Sequence, residues 1–172
     1  PLIVPDGPGF LVNRLLMPYL GEALVLLQEG VSIERIERVA TESGAPWGPF
    51  TAMDEIGLDT VFQSGMVLGR AFGDVVPSSP LLVFMIKARR LGCKTKAGFF
   101  GYVENESGKF DPRPDAEVDR IIGNWTEPPQ ETADDTIRDR LFLPMLLEAT
   151  RILSDVPQSD PRLIDMGVIL GL

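Results

Sequence analysis

The chain contains RLLMPYLGEA at residues 14–23 and a second version of that stretch, RLFLPMLLEA, at residues 140–149. Arginine, leucine, a central proline, leucine and a Glu-Ala pair recur in register at a constant offset (140 − 14 = 126). The apolar spacing around the first copy is that of a long amphipathic helix with a proline inside it. Because a mid-helix proline costs about 3 kcal/mol, a shared kinked helix is hard to obtain by chance. The sequence therefore predicts an internal repeat.

The repeat continues beyond the kinked helix. Ile36-Glu37 matches Ile164-Asp165 at a slightly larger offset (164 − 36 = 128), which indicates a two-residue insertion in the connection between two helices. The second copy reaches Leu172 before any counterpart of the loop at residues 44–50. We therefore expect a first copy followed by a truncated second copy.

Asn13 distinguishes the two copies. It stands at the start of the first long helix, and Asp139 occupies the equivalent place in the second copy. The residues alone leave two interpretations open: the amide bonds nearby backbone at the helix start, or it is a functional group.

Capping residues and helix breakers divide the rest of the chain into further helices. Ser32 is predicted as an N-cap and Gly44 as the C-terminal stop of the second helix. The other predicted helices run from Thr51 to Ile56, from an N-cap at Asp59 to Phe72, from Ser79-Pro80 to Leu91, from Asp115 to Ile122, from Asp134 to Leu153 and from Asp160-Pro161 toward Ile169. Only residues 98–102 are expected to be extended. The prediction is an all-α fold with seven or eight helices and almost no sheet.

The composition turns polar after residue 102. Residues 103–114 are typical of a surface loop or a linker. We therefore divide the chain into a first helical domain at residues 1–102, a linker with a short helix at residues 103–133, and a partial second copy at residues 134–172.

Composition excludes several classes of function. The 172 residues include no histidine and one cysteine, so the chain can hold no Ser-His-Asp or Cys-His nucleophile, and we expect no metal site. The net charge is −9, from 16 basic and 25 acidic residues, which argues against nucleic acid as a partner because phosphate neutralisation needs a basic face. No apolar run is long enough for a transmembrane segment.

The first residues resemble no targeting signal. Residues 1–9 lack a basic region, and the chain does not begin with Met, so we expect a piece of a larger protein. The single Cys93 fits a reducing compartment, and we expect a cytoplasmic protein, if bacterial, or one of an organelle matrix.

Five motifs follow one another within residues 6–102. They are Pro8-Gly9-Phe10-Leu11-Val12-Asn13-Arg14-Leu15-Leu16, Glu22-Ala23, Gly48-Pro49-Phe50 with Asp54, Gly57-Leu58-Asp59-Thr60, and Lys94-Thr95 with Gly98-Phe99 and Tyr102. In this order they resemble the C-terminal domain of the NAD-dependent 3-hydroxyacyl-CoA dehydrogenases. Residues 140–172 resemble a second, degenerate copy of that domain, and tandem copies are what the multifunctional fatty-acid oxidation enzymes carry.

The resemblance implies a helical bundle of the 6-phosphogluconate-dehydrogenase C-terminal-like type. It also implies that a Rossmann domain in the same protein binds NAD and carries a His-Glu pair, whose histidine removes the proton of the 3-hydroxyl group of the acyl-CoA substrate. Asn13 would position that histidine or the substrate oxygen in the catalytic pocket. Without its Rossmann domain this substrate-binding and dimerisation region of a β-oxidation enzyme is expected to be inactive.

The resemblance places the loop of Pro46, Trp47, Gly48, Pro49 and Phe50 close to the acyl end of the substrate. Its two prolines hold two aromatic side chains with little entropy to lose, which suits the wall of an apolar pocket or a plug in the core. The family more usually has methionine where Trp47 stands, and we hypothesise that the rigid indole narrows the acyl cavity.

A basic cluster consists of Lys87, Arg89, Arg90, Lys94 and Lys96. Contact with the phosphates of CoA or NAD is one interpretation, and the other, which we favour, is that the cluster caps a helix C-terminus and is solvated. The sequence departs from the family here, because the glycine expected after Lys94-Thr95 is Lys96.

Three acids and the thiol offer weaker candidates. Asp54, Glu55 and Asp59 suggest a metal site or a carboxylate dyad, but we interpret Asp59 as an N-cap and the other two as acids on a helix surface. Cationic neighbours could lower the pKa of Cys93, yet no base is near in sequence, so a structural thiol is the preferred interpretation.

Two alternatives to a dehydrogenase region stay open. One is a non-catalytic helical assembly or dimerisation module, and the other is the helical tail of another hydroxy-acid dehydrogenase. We also hypothesise that residues 140–172 pack against the first copy as a dimer partner would, while the truncated chain self-associates through what is left open.

Overall fold

The structure is a computed structural model that describes residues 6–73, 79–108, 110–155 and 160–171. These parts of the chain contain α1 Val12–Gln28, α2 Ile33–Glu42, α3 Pro49–Ile56, α4 Leu58–Phe72, α5 Pro80–Lys87, a 3₁₀ turn Cys93–Thr95, β1 Gly101–Glu104, β2 Phe110–Arg113, α6 Ala116–Ile122, α7 Asp134–Asp155 and α8 Pro161–Gly171. The all-α prediction is confirmed, with one small hairpin added. Two predictions fall partly outside the described residues. They concern residues 1–5, which belong to the start where we expect no targeting signal, and Leu172, with which the predicted second copy ends.

α1 and α7 pack against each other at the centre of the fold. Arg14 Nε on α1 donates to Glu148 Oε1 on α7 at 2.5 Å, and Arg140 Nε on α7 donates to Glu22 Oε1 on α1 at 2.6 Å. The start of each helix therefore meets a later turn of the other, so the two helices are antiparallel.

The ion pairs between α1 and α7 are reciprocal. Arg14 Nη2 also donates to Asp155 Oδ2 at 2.7 Å, and Arg140 Nη2 donates to Glu29 Oε1 at 3.1 Å. Asp155 stands at the same offset from Glu29 (155 − 29 = 126) as the second arginine does from the first. Each arginine thus bonds the counterparts of the acids that the other arginine bonds, which is the pattern of an interface with two-fold symmetry.

Both helices keep the proline that the sequence places inside them. Pro18 and Pro144 lie within the continuous helices α1 and α7. α1 is mostly buried, because α3, α4 and α7 pack around it. Dispersion and hydrophobic contacts on these sides offset the unmade backbone bond at the proline.

Predicted helix starts are partly confirmed. Ser32 caps α2 as expected, since its Oγ accepts from Arg35 N at 3.4 Å. Asp59 is not the N-cap of α4: Gly57, with φ +96°, holds that position. The Asp59 carboxylate instead accepts from Lys94 Nζ, so its role is an ion pair across the fold.

α5 is shorter than predicted. It ends at Lys87 rather than Leu91, because Arg89 adopts a left-handed conformation with φ +57°. Arg90 N then donates back to Met85 O at 3.0 Å, which closes the helix in the manner of a Schellman motif. Glycine usually occupies this position, so the sequence carries no sign of the stop.

The predicted loop or linker at residues 103–114 is instead the greater part of a β-hairpin. β1 and β2 pair antiparallel, with Glu104 opposite Phe110. Polar residues make the turn, where Ser107 N donates to Asn105 Oδ1 at 3.0 Å. Because Asn, Ser and Gly favour the tip of a hairpin as much as a linker, composition could not separate the two.

Candidate functional site

Asn13 lies in the first turn of α1, directly after a tight glycine turn. Gly9 has φ +73°, and a Cβ there would come 2.7 Å from Leu68 Cδ2, so glycine is required for the turn to pack against α4. Phe10 follows with φ +47° and is exposed. Asn13 is also exposed, and within the described residues its amide has no hydrogen-bond partner. Its donors and acceptor are free to meet another domain or a ligand.

The next residue, Arg14, points into the protein. Its guanidinium carbon lies 3.9 Å from the centroid of the Phe72 ring, and its nitrogens bond Glu148, which is fully buried, and Asp155. Burial lowers the pKa of Arg14, but the hydrogen bonds to Asp155 and Glu148 outweigh it, so the pKa is raised overall. Arg14 fastens the first turn of α1 to α4 and α7, which fixes the backbone that carries Asn13.

The Gly48-Pro49-Phe50 motif forms a helix start that is capped from α2. Glu37 Oε1 accepts from Phe50 N at 2.7 Å and from Thr51 N at 3.3 Å, and Glu37 Oε2 accepts from Thr51 Oγ1 at 2.6 Å. A Cβ at Gly48 would collide with the Glu37 carboxylate, and Pro49 at the first helical position has no N–H to satisfy. Burial raises the pKa of Glu37, and the three bonds oppose that rise.

The Phe50 side chain belongs to the core. It is fully buried, and its ring meets that of Phe99 edge-on with centroids 4.8 Å apart. Gly48, Pro49 and Phe50 are thus accounted for by capping and packing. Of the predicted substrate loop, Pro46 and Trp47 line an apolar cavity of the described structure, and the other three residues do not line it.

That cavity is a groove of about 1040 Å³ between the 43–47 loop with α1 and α3 on one side and α7 with α8 on the other. Trp47 stands on its wall and is 56% exposed. Asn13 is not among the residues that line it. This groove therefore does not join the two predicted elements of the site. The groove is lined by Leu15, Leu16, Tyr19, Ser43, Gly44, Ala45, Pro46, Trp47, Ala52, Ile56, Phe142, Met145, Leu146, Ala149, Thr150, Leu153, Pro161, Ile164, Asp165, Val168 and Ile169.

Asp54 is a buried anchor and not, as predicted, an acid on a helix surface. It is fully buried, its Oδ1 accepts from Phe99 N at 2.9 Å, and its Oδ2 accepts from Phe100 N at 3.0 Å and from Tyr102 Oη at 2.9 Å. A Cβ at Gly98 would collide with its carboxylate. Burial raises the pKa of Asp54 to about 6, although these three bonds oppose the rise. Asp54 therefore ties the segment before β1 to α3.

The basic cluster is mostly used within the fold. Arg90 is buried and bonds the N-cap carboxylate of α6, Lys94 bonds the acid in the first turn of α4, and Lys96 Nζ lies 4.6 Å from the ring centroid of an aromatic residue in β2. Lys87 is in the last turn of α5, as a capping cation would be, and Arg89 follows it; both are exposed. Capping of the helix thus applies to Lys87 alone, whereas the solvation that the same interpretation expected applies to every residue of the cluster except Arg90.

Cys93 is not activated. Burial raises the pKa of its thiol to about 11, and its Sγ donates to Glu55 Oε1 at 3.3 Å. Its cationic neighbours do not lower this pKa, in agreement with a structural thiol.

Sequence reasoning missed the roles of Glu148, Glu37 and Asp54. Two of these residues had a signal in the sequence. Arg14 and Glu148 belong to charges that recur in both copies, and a repeated opposite-charge pair predicts reciprocal pairing once the copies meet. Gly48 before Pro49 indicates a close approach of another group to a helix start, although it does not name Glu37.

Other kinds of site are absent from the described parts of the chain. No group of three or more His, Cys, Asp or Glu side chains there could hold a metal ion. The same residues contain no strand, glycine-rich loop and helix in the order that binds a dinucleotide. No helix among them has the length and apolar character needed to cross a membrane.

Comparison with known proteins gives a consistent result. The model of the family described as "3-hydroxyacyl-CoA dehydrogenase, C-terminal domain" matches residues 9–102. The fatty acid oxidation complex subunit alpha of Pseudomonas aeruginosa is 34% identical over the whole of this chain, which spans only 24% of that relative.

Solved structures give the same fold. The dehydrogenase part of multifunctional enzyme 1 from C. elegans matches with a TM-score of 0.70 and 27% identity, over 92% of this chain and 35% of that one. The 3-hydroxybutyryl-CoA dehydrogenase of Escherichia coli also reaches a TM-score of 0.70, over 99% of this chain and 52% of that one, at 19% identity. The second match concerns the fold alone.

Proposed function

Because the chain belongs to the 3-hydroxyacyl-CoA dehydrogenase family, with residues 9–102 matching its C-terminal domain, we propose that it is the helical substrate-binding and dimerisation region of such an enzyme. The complete enzyme oxidises 3-hydroxyacyl-CoA to 3-oxoacyl-CoA with NAD in fatty-acid β-oxidation, in the cytoplasm of a bacterium or in an organelle matrix. NAD and the His-Glu pair belong to its Rossmann domain, since the described residues of this chain offer no dinucleotide site.

The exposed amide of Asn13 is the observation that carries this proposal. It stands on a backbone that the Gly9 turn and the buried Arg14 hold in place, yet it bonds nothing in the described part of the chain. A polar side chain that is free itself but rigidly supported suits a positioning role across a domain interface. Asn13 faces the catalytic histidine or the substrate oxygen in the complete enzyme.

The test uses the full-length enzyme and the reduction of acetoacetyl-CoA by NADH. Asn13→Ala should lower kcat/KM about 10²-fold, because misplacement of a reacting group costs that much, while the unfolding midpoint stays unchanged. Asp139→Ala, at the equivalent position of α7, is the matched control and should leave both quantities unchanged. If Asn13→Ala kept full activity, the chain would be an assembly module instead.

Pro46 and Trp47 are the substrate-contacting part of their loop. Trp47 is more than half exposed on a rigid segment between two prolines, so it can contact an acyl group with little loss of entropy. Trp47→Met in the full-length enzyme should shift the chain-length preference in kcat/KM toward longer acyl groups. An unchanged preference would remove the loop from the substrate site.

α7 and α8 take the place of a second subunit. The reciprocal ion pairs of Arg14 and Arg140 support this role, because a symmetric dimer interface has that pattern. A chain that ends at residue 102 should self-associate through the bared face of α1, as measured by light scattering at high concentration. A monomer under those conditions would contradict the proposal.

A further inference from the structure

The first turn of α1, which carries Asn13, has little local support. Leu11 stands at the N-cap position, and its apolar side chain cannot accept a hydrogen bond from the turn. The turn itself contains no acid to face the positive end of the helix. Gly9 and Phe10 directly before it both have positive φ, which for Phe10 is a strained conformation. The position of Asn13 therefore depends on contacts made from outside the helix start.

Arg14, the residue after Asn13, makes such contacts. Its guanidinium group packs on the ring of Phe72 on α4 and bonds two acids of α7, Glu148 and Asp155. Neighbouring Cα atoms are held about 3.8 Å apart across a planar peptide bond, so a shift of the Arg14 backbone moves Asn13 with it. Through this one side chain, α4 and α7 together set the place of the Asn13 amide.

Glu148 is the most buried member of this cluster. Its side chain is fully buried, and both of its oxygens are used: Oε1 accepts from Arg14 Nε at 2.5 Å, and Oε2 accepts from Arg151 Nη1 at 3.1 Å. A buried ion pair adds little stability compared with apolar side chains that fill the same space. Its charge-assisted hydrogen bonds are directional, however, so they leave the Arg14 guanidinium group few orientations.

The opposite end of the helix pair has the same chemistry closer to solvent. There Arg140 bonds Glu22, and Asp139 stands before the arginine. The Arg140 side chain is 31% exposed, against 10% for Arg14. Of the two equivalent ion pairs, the buried one is therefore the one that lies beside Asn13.

From these observations we propose that Glu148 is a positioning residue for the reaction: through Arg14, it holds the turn that presents the Asn13 amide. The inference rests on the proposed function, in which Asn13 faces the catalytic histidine or the substrate oxygen. Because Glu148 is fully buried, it acts through Arg14 and not by contact with the substrate. An acid on α7 thereby contributes to a site whose polar group lies on α1.

The first test compares two matched variants of the full-length enzyme in the reduction of acetoacetyl-CoA by NADH. Glu148→Gln keeps the shape of the side chain but removes the charge that orients Arg14. It should lower kcat about tenfold and leave KM unchanged, because the Asn13 amide is displaced and not removed. Glu22 is the counterpart of Glu148 (148 − 22 = 126), so Glu22→Gln removes the same charge from the equivalent pair and should leave kcat unchanged.

A double-mutant cycle separates positioning from a purely structural role. Since Glu148 acts through Asn13, Glu148→Gln should change kcat by less than about twofold in an enzyme that already carries Asn13→Ala. A residue that only supports the fold would cause the same fractional loss in both backgrounds. Thermal melts of each variant ensure that kcat is compared between folded proteins.

Asp155→Asn is a second probe of the same arginine. It removes the other acid that Arg14 bonds, but its side chain is 55% exposed, so the change disturbs no buried charge. It should lower kcat about threefold, as the loss of an exposed partner would, and this loss should also vanish in the Asn13→Ala background. If Glu148→Gln does not fold, Asp155→Asn decides by the same criterion.

Three results would overturn the inference. The first is that the folded Glu148→Gln enzyme keeps kcat within about twofold of the unchanged enzyme. The second is that it loses the same factor with and without Asn13, and the third is that Glu22→Gln lowers kcat as much as Glu148→Gln does. A loss of activity in Asn13→Ala without one in Glu148→Gln would remove this inference alone. Full activity in Asn13→Ala would remove the proposed function as well.

Discussion

α1 and α7 share a motif with a proline inside the helix, but their surroundings differ. Leu20 on α1 is 1% exposed and Leu146 on α7 is 59% exposed, although the helices bond each other through matching arginines and acids. Where the helices face each other, their environments match. Where they face away, α3 and α4 cover α1, and α7 has no such cover among the described residues. A shared motif thus specifies how two helices meet, while burial depends on the neighbours.

The largest expected effect is the difference in stability loss between a truncation on the covered face of α1 and one on the exposed face of α7. Leu20→Ala should destabilise the chain by about 4 kcal/mol, because it leaves a cavity in a packed core. Leu146→Ala should cost no more than about 0.5 kcal/mol, because its side chain is already exposed. Urea denaturation of both variants measures the difference. Equal losses would mean that Leu146 is covered in solution.

The second effect concerns the reciprocal ion pairs. Glu148→Ala should cost about 3 kcal/mol, because a buried pair loses one partner and Arg14 is left with Asp155 alone. Glu22→Ala should cost about 1 kcal/mol, since its partner Arg140 is closer to solvent. The free energies of unfolding of the two variants measure this difference. A larger loss for Glu22→Ala would contradict the prediction that the buried pair contributes more.

The third effect concerns Asp54, which ties α3 to the segment before β1. Burial raises the pKa of Asp54 to about 6, above that of an unfolded Asp, so the folded protein binds the proton more tightly. The resulting stabilisation is complete below the unfolded pKa and is lost as the pH rises through 6. Between pH 5 and pH 7 stability should fall by about 1 kcal/mol from this group.

Asp54→Asn provides the control for this dependence. The variant cannot titrate, so its unfolding free energy should lose that part of the slope between pH 5 and pH 7, whatever its absolute stability. Urea denaturation at pH 5, 6 and 7 measures both chains. Identical slopes would show that Asp54 titrates normally.

The smallest effect lies in the turn that Asp54 anchors. Lys96 adopts a left-handed conformation with φ +56°, at the position where the resemblance leads one to expect glycine. Lys96→Gly should stabilise the chain by about 0.5 kcal/mol, because relief of the strain exceeds the loss of its contact with the Phe110 ring. Lys87→Gly, at the last residue of α5, should instead destabilise it by about 0.5 kcal/mol. Thermal melts should therefore give a higher Tm for Lys96→Gly and a lower Tm for Lys87→Gly than for the unchanged chain.

The helices were predicted better than their ends. Ser32 and the two prolines indicated correct elements, because capping and apolar spacing act over a few residues. The end of α5 was not predicted correctly, because Arg89 adopts a left-handed conformation that glycine normally signals. The hairpin of β1 and β2 was not predicted, because its polar tip has the composition of a linker.

The candidate site divides in the same way. Asn13 was found from a motif, and the structure places it exposed on a fixed turn. Asp54 was misassigned to a surface, because an aspartate inside a short helix carries no local sign of the three donors that meet it. Those donors lie far along the chain, at Phe99, Phe100 and Tyr102, and they converge on Asp54 only after folding.

Residue types and their spacing were enough to predict the family, the helical fold, a proline inside each of two long helices and the absence of histidine chemistry. These properties depend on segments of one helix or one motif, so they can be read locally. The three-dimensional arrangement was needed to show that Arg14 and Arg140 pair reciprocally, that Glu37 caps α3, and that Leu146 of α7 lies exposed in a groove while its counterpart on α1 is buried. Each of these depends on which distant segments share a surface, because burial and ion pairing are properties of neighbours in space.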